Sequence, residues 1–311
     1  MSYPQSFGYV LQADAVSTSR TQAVSLLAAS GRALLILDRS YSAGVAGAWS
    51  RVELERIRAG MPGRRVVAYF SIGEAERYRD YWGPEWNIGR PGFVLEENPN
   101  WPGNYLVEYW HPDWQSIVLS DLEKIVEQGF DGVYLDIVDG FSNFERDPDG
   151  SYHDDRVNPA TGQSFRRDMV DLVAAIARHA RAQVPDFWVI PQNGSQLLAF
   201  DDHVQTIDAI GVEDLYTRGD ELQPVEHFAY VNGFLDRLRA AGKPVLLVEY
   251  AEDGALRARA VRAATARKDV LLLTDRPLKT LGRSYAPLHF QAAESGDAAR
   301  PRTGLAVARQ P

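Results

Sequence analysis

The 311-residue sequence predicts an α/β chain folded as a single-domain (β/α)8 TIM barrel, on three observations. Short apolar runs alternate with longer amphipathic stretches, the pattern of a parallel sheet covered by helices. The alternation repeats eight times, the number a closed barrel requires. Carboxylates gather at the C-terminal ends of the runs, the face on which barrel enzymes carry their sites. Residues 1–275 form the expected barrel; from Arg276 to Pro311 the pattern gives way to Pro, Ala, Arg and Gly, a tail expected to be mobile.

Phe7 to Gln12 is apolar enough for a first strand, and Arg20 to Ser30 carries Val24, Leu27 and Ala28 at helical spacing before Gly31 stops it. Ala33 to Asp38 is too short for a helix and predicts a buried second strand ending in an acid. Val52 to Ala59 predicts a short helix closed by Gly60 and Pro62, and Arg65 to Ile72 a third strand rich in β-branched and aromatic residues. A long Pro-, Gly-, Asn- and Trp-rich excursion follows, ending in Tyr105 to Trp110 (YLVEYW). Counted as loop, that run leaves eight βα units; counted as a strand, it makes nine and spoils closure. Trp82, Trp86, Trp101, Trp110 and Trp114 lie in or beside the excursion, and flat rings over a strand end suit the floor of a sugar site.

Pro112 to Gln128 is the clearest helix, with Trp114, Ile117, Val118, Leu122 and Ile125 on one face and Gly129 as terminator. It feeds Asp131 to Phe141 (DGVYLDIVDGF), read as one buried strand that delivers Asp136 and Asp139 to the rim. A desolvated carboxylate there is costly unless partners or water satisfy it. Asn143 to Ser164 is a polar, turn-rich loop whose acids do not match calcium-loop spacing, so no metal site is expected. Then come a helix (Arg166 to Gln183), strand five (Phe187 to Gln192), strand six (Ile207 to Leu215, ending in Glu213 and Asp214), a helix (Phe228 to Ala241), strand seven (Pro244 to Tyr250, carrying Glu249), a basic helix (Ala255 to Lys268) and strand eight (Val270 to Asp275).

A hydrophobic content of 45% with 24% charged residues is that of an ordinary globular core. The net charge of −9 argues against a nucleic-acid partner and suits a neutral or cationic ligand. No cysteine is present, so neither disulfides nor thiolate metal sites arise. No apolar stretch approaches the ~18 residues of a spanning helix, and no membrane partner is expected. The opening MSYPQSFGYVLQ lacks the basic start and apolar run of a signal peptide; the expectation is a cytoplasmic protein, or an exported one whose leader is missing. HxH, HExxH, GxSxG, Walker and GxGxxG patterns are absent, so no metal or nucleotide cofactor is expected. What remains is a rim of acids: Asp38, Glu74, Glu76, Asp136, Asp139, Glu213, Asp214 and Glu249. Their repulsion raises some pKa values and provides the mixed protonated and ionised pair that glycoside hydrolysis uses. Their field would draw an amino sugar.

VAYFSIGEAERYRDYW (Val67 to Trp82), GFDGVYLDIVD (Gly129 to Asp139), PQNG (Pro191 to Gly194) and IGVEDLY (Ile210 to Tyr216) together resemble the motifs of glycoside hydrolase family 114, the endo-α-1,4-polygalactosaminidases and spherulin-4-like proteins. The resemblance covers roughly residues 7 to 275. It implies a barrel that hydrolyses α-1,4-linked galactosamine or N-acetylgalactosamine polymer with retention, often outside the cell. It places the nucleophile at Asp136 and the general acid/base at Glu213, with Tyr69, Ser71, Glu74, Gln192, Asn193 and Tyr216 lining the sugar subsite. Rim position adds Asp38 and Glu249 to the substrate-binding set, and the aromatic excursion adds Trp82. Asp139 either orients the nucleophile, holds a sugar hydroxyl or caps its loop. Where many members read DGVEPDNVD this chain has DGVYLDIVD, with Tyr134 in place of an acid and Ile137 in place of an Asn. A polysaccharide or oligosaccharide is the expected partner. The alternatives are a carbohydrate-binding barrel without turnover and a hydrolase of another α-glycoside.

Overall fold

A computed structural model of the chain describes residues 3–42 and 47–287. The barrel strands are β1 (Phe7–Val10), β2 (Leu34–Asp38), β3 (Arg65–Ser71), β4 (Gly132–Asp136), β5 (Trp188–Pro191), β6 (Ile210–Glu213), β7 (Val245–Glu249) and β8 (Val270–Leu273). β1 to β5 pair in parallel in chain order, and so do β6 to β8. The two ladders meet where Gln192 bridges Gly211, the Asn193 N–H donating to the Gly211 carbonyl at 2.8 Å. Between β8 and β1, which lie side by side, no ladder forms among the described residues. Closure is carried by side chains: Phe7, Leu34, Val67, Tyr134, Ile190, Ala209, Val248 and Leu272, one from each strand or its flank, form a single buried interior cluster. An open sheet would leave the inward faces of its first and last strands apart.

The remaining seam is covered from beyond residue 275. Arg283–Tyr285 runs antiparallel on β8, and Ser284 Oγ accepts the Phe7 N–H at 3.1 Å. The Leu278 carbonyl accepts the Leu11 N–H at 3.0 Å, and its side chain is buried. The packed body therefore extends through Pro287, past the 275/276 boundary read from composition; residues 288–311 of the expected tail lie outside the described residues. A strand as short and polar as Arg283–Tyr285 escapes a reading that looks for apolar runs.

Two further expectations change. The run Tyr105 to Trp110 does contain a strand, but Asn104–Val107 is the centre of a separate antiparallel sheet with Glu74–Glu76 and Val94–Glu97, so the barrel keeps its count of eight. The segment 131–141 is not one strand: β4 ends at Asp136, Ile137 turns at φ 55°, Val138–Gly140 is a 3-10 turn and Phe141–Glu145 a short helix. Ile137 and Val138 are apolar because they pack in a turn, and the turn fits because residue 73 is glycine: a Cβ there would meet the Ile137 carbonyl at 2.2 Å.

The outer layer comprises Arg20–Ala28, Arg51–Ala59, Pro112–Gln128, Phe165–Arg181, Asp201–Thr206, Val225–Ala240 and Gly254–Arg267. Local signals set their ends: Ser50 and Glu53 form a reciprocal capping box, and Gly129, at φ 93°, ends Pro112–Gln128 as a left-handed cap. Trp114, Ile125, Met169, Ile176 and Leu235 fill the space between helices and barrel.

Candidate active site

A cavity of about 1090 Å³ opens at the C-terminal ends of the strands. Asp136 ends β4, where its Oδ2 accepts the Tyr69 hydroxyl at 2.7 Å and its Oδ1 the Ile137 N–H at 2.9 Å. Burial pushes this carboxyl above its ordinary range, while those two donors favour its anion. Glu213 ends β6. Its Oε2 accepts Gln192 Nε2 at 2.5 Å, its Oε1 accepts the Tyr250 hydroxyl, and its N–H donates to Asn193 Oδ1 at 3.1 Å. Burial first, then the charge of Asp136, raise its carboxyl to about 7.

The backbone aims these groups in the same way three times. Ile137, Asn193 and Asp214 adopt positive φ (55°, 59° and 50°) directly after Asp136, Gln192 and Glu213. A left-handed residue after a strand turns the chain away at once and leaves the preceding side chain at the mouth. For β-branched Ile137 the conformation is an outlier that only the surrounding packing sustains, at a cost of about 1–3 kcal/mol.

Of the other expected residues, Tyr69, Glu74, Asp38, Asp139, Gln192 and Asn193 line the cavity. Asp139 leaves the 3-10 turn, and burial, then Asp136, push its carboxyl to about 7. Glu74 is held by Asn98 Nδ2 at 2.8 Å and Asn104 Nδ2 at 3.3 Å, with burial raising its pKa. Asp38 is neutralised, its two oxygens accepting the Arg79 guanidinium at 3.1 and 2.7 Å while Arg79 Nε donates to Glu76 at 2.6 Å.

Four expected residues are elsewhere. Ser71 is buried and donates to the Glu74 carbonyl at 3.1 Å, fixing the turn rather than facing the cavity. Trp82 packs on Tyr105 and Trp86 in the excursion, at centroid distances of 4.8 and 5.3 Å. Glu249 is 0% exposed and lies under the loop after β6, accepting the Tyr216 N–H at 2.7 Å, the Thr217 N–H at 3.0 Å and Thr217 Oγ1 at 2.5 Å. Tyr216 is buried against Phe228. Strand alternation explains Glu249: Leu246 and Val248 face the barrel interior, so 249 faces out and Tyr250 faces in. The same period makes Tyr9, two residues after Phe7, an interior group of β1. Tyr9 and Tyr250 are the site residues the sequence reading missed, and alternation was the available signal. Of the five tryptophans read as a sugar floor, Trp101 alone lines the cavity; Trp114 is core, and Trp110 packs on Phe144 at 4.7 Å.

A model of the glycoside-hydrolase family GH114 matches residues 54–286. The chain belongs to family GH114. This GH114 chain is 39% identical over 228 residues to an uncharacterised protein of Deinococcus radiodurans, an alignment spanning 72% of this chain and 68% of that one. It is 38% identical over 232 residues to an uncharacterised protein of Methanocaldococcus jannaschii, spanning 73% of this chain and 63% of the relative. Among solved structures, the glycoside hydrolase domain of PelA from Pseudomonas aeruginosa superposes with a TM-score of 0.61 at 20% identity, covering 90% of this chain and 98% of that one. Aspergillus fumigatus Ega3, in complex with galactosamine, superposes at 0.60 with 15% identity, covering 90% and 93%. These likenesses carry the fold; the family makes the chain a glycoside hydrolase and its substrate a carbohydrate. Tyr9 and Asp38 precede the matched segment.

Proposed function

We propose that the protein hydrolyses an α-1,4-linked galactosamine or N-acetylgalactosamine polysaccharide with retention of configuration, Asp136 acting as nucleophile and Glu213 as general acid/base. The observation that carries this reading is a pair of buried carboxyls, ending β4 and β6, that line one cavity, each held by two hydrogen-bond donors. Burial raises both carboxyls, Glu213 to about 7, so that it is partly protonated near neutral pH and can give up or take a proton there. Glu213 protonates the glycosidic oxygen as that C–O bond breaks, and an Asp136 oxygen forms the new bond to the anomeric carbon. The Glu213 carboxylate then takes a proton from water, which displaces Asp136 and restores both groups. Glu74, Asp139 and Asp14 also line the cavity, with no cation hydrogen-bonded to them among the described residues, a lining that suits a substrate bearing amines. The galactosamine bound by Ega3 supports the same sugar class.

The test is product release from α-1,4-galactosamine and N-acetylgalactosamine oligomers by the wild type, Asp136→Asn and Glu213→Gln, with the first-formed anomer followed by NMR. Loss of at least about a thousandfold in both variants is expected, with a product of retained configuration. An inverted product would overturn the nucleophile role. Binding without turnover by the wild type would make the protein a carbohydrate-binding barrel, and turnover of other α-glycosides alone would overturn the substrate.

A further inference from the structure

Two hydrogen bonds in series connect Glu213 to the far side of the barrel. Tyr9, on β1, donates its hydroxyl to Gln192 Oε1 at 3.0 Å, and the opposite end of that amide, Nε2, donates to Glu213 Oε2 at 2.5 Å. A glutamine amide has one accepting and one donating end, and either can face a neighbour. Turned over, it would present Oε1 to Glu213, which is favourable only when Glu213 carries the proton. Tyr9 is fully buried among apolar neighbours, its ring against Tyr134 at 5.0 Å. Gln192 is itself buried, so each group presents little surface to the cavity it borders and the other is its nearest partner. The barrel layout makes the arrangement regular: neutral donors come from the odd strands (Tyr9 on β1, Tyr69 on β3, Gln192 after β5, Tyr250 after β7), and the carboxylates they serve end the even strands β4 and β6.

We propose that Tyr9 is a positioning residue for Glu213: by donating to Oε1 it locks the Gln192 amide with Nε2 toward the carboxylate, and so sets the orientation and charge state of that group through Gln192. The proposal rests on the reading of Glu213 as acid/base only for its consequence in catalysis; the coupling itself is a property of the folded protein. With Tyr9→Phe the ring stays and the lock is lost, the amide turns, and the protonated form of Glu213 is favoured.

The experiment follows the side-chain carboxyl resonance of 13C-labelled Glu213 against pH, assigned by its absence in Glu213→Gln, in the wild type, Tyr9→Phe, Gln192→Leu and the double variant. The expected result is an upward move of the Glu213 titration by about one unit in Tyr9→Phe, and no further move when Tyr9→Phe is added to Gln192→Leu. An unmoved titration, or effects of the two substitutions that simply add, would overturn the proposal. If Tyr9→Phe does not fold, 3-fluorotyrosine at position 9 keeps the ring and strengthens the donor; the titration should then move down, and a fixed titration there also overturns the proposal. On an oligomer that the enzyme cleaves, the alkaline limb of kcat should move with the titration while KM holds. If no oligomer is cleaved, the function above fails while the titration still decides the role of Tyr9.

Discussion

Tyr69 gives Asp136 one of its two donors, and hydrogen bonds to charged groups are worth about 1.5–3 kcal/mol. Tyr69→Phe is therefore expected to lower kcat by roughly tenfold to a hundredfold with little change in KM, measured on whichever oligomer the wild type cleaves. A second residue acts on stability. His203 is buried, neither ring nitrogen has a partner among the described residues, and burial lowers its pKa from 6.5 to about 4. Above 6.5 it is neutral folded and unfolded alike; as pH falls from 6.5 to 4 the unfolded chain takes up a proton that the folded one refuses. Stability is thus lost on the acid side, by about 3 kcal/mol at most. His203→Phe should flatten that part of the stability curve, as read by urea melts at a series of pH values. A histidine in a helix with acids before it gave no hint of this in the sequence, since burial is a property of the packed molecule.

Among the elements, β4 and β6 are matched by shape. Gly211 faces Tyr134, whose hydroxyl would lie 1.8 Å from a Cβ at 211, so the tyrosine occupies the space that a glycine leaves. Gly211→Ala is expected to destabilise by about 3 kcal/mol or more, and Tyr134→Val in the same chain to recover part of the loss, a coupling that a double-mutant cycle in urea would measure. The loop after β6 depends on Glu249 in the same way. Its carboxylate satisfies two buried amides and a hydroxyl, so Glu249→Leu should cost about 2–4 kcal/mol. The strands themselves were legible because a buried apolar run between two helical patterns has few other readings. Their side-chain directions were legible too, but a carboxylate at a strand end drew attention to 249 when alternation pointed to 250.

For the molecule as a whole, two behaviours follow from the acids and the seam. Glu213, Glu249 and Asp139 have folded pKa values near 7, raised from 4.5, 4.5 and 3.8 by burial. Each favours the folded state fully below its unfolded pKa and loses that contribution as pH rises through about 7. His203 works in the opposite sense below 6.5, but it is one group against three. Tm should therefore rise as pH is lowered from about 8 to about 6 and fall again below about 4.5, where the unfolded chain takes up protons on carboxylates that partners hold low in the folded one, such as Glu53 at about 2. The β8–β1 seam predicts that ending the chain after Asp275 lowers Tm by about 10 °C or more, because it removes Leu278 and the Arg283–Tyr285 strand from the barrel's last joint.

The order of strands and helices, the count of eight, and Asp136 and Glu213 at strand ends could all be read along the chain, because period and local capping are short-range properties that a linear sequence carries. Tertiary structure alone decided which acids share a cavity. Asp38 lines the cavity but is ion-paired with Arg79 from another loop, and Glu249 is turned under the barrel wall, although both end apolar strands as Asp136 and Glu213 do. It also decided that Tyr9 reaches Glu213 through Gln192, across 183 positions from Tyr9 to Gln192. Hydrogen-bond partners far apart in the chain leave no periodicity in it, and a carboxyl's charge depends on what encloses it.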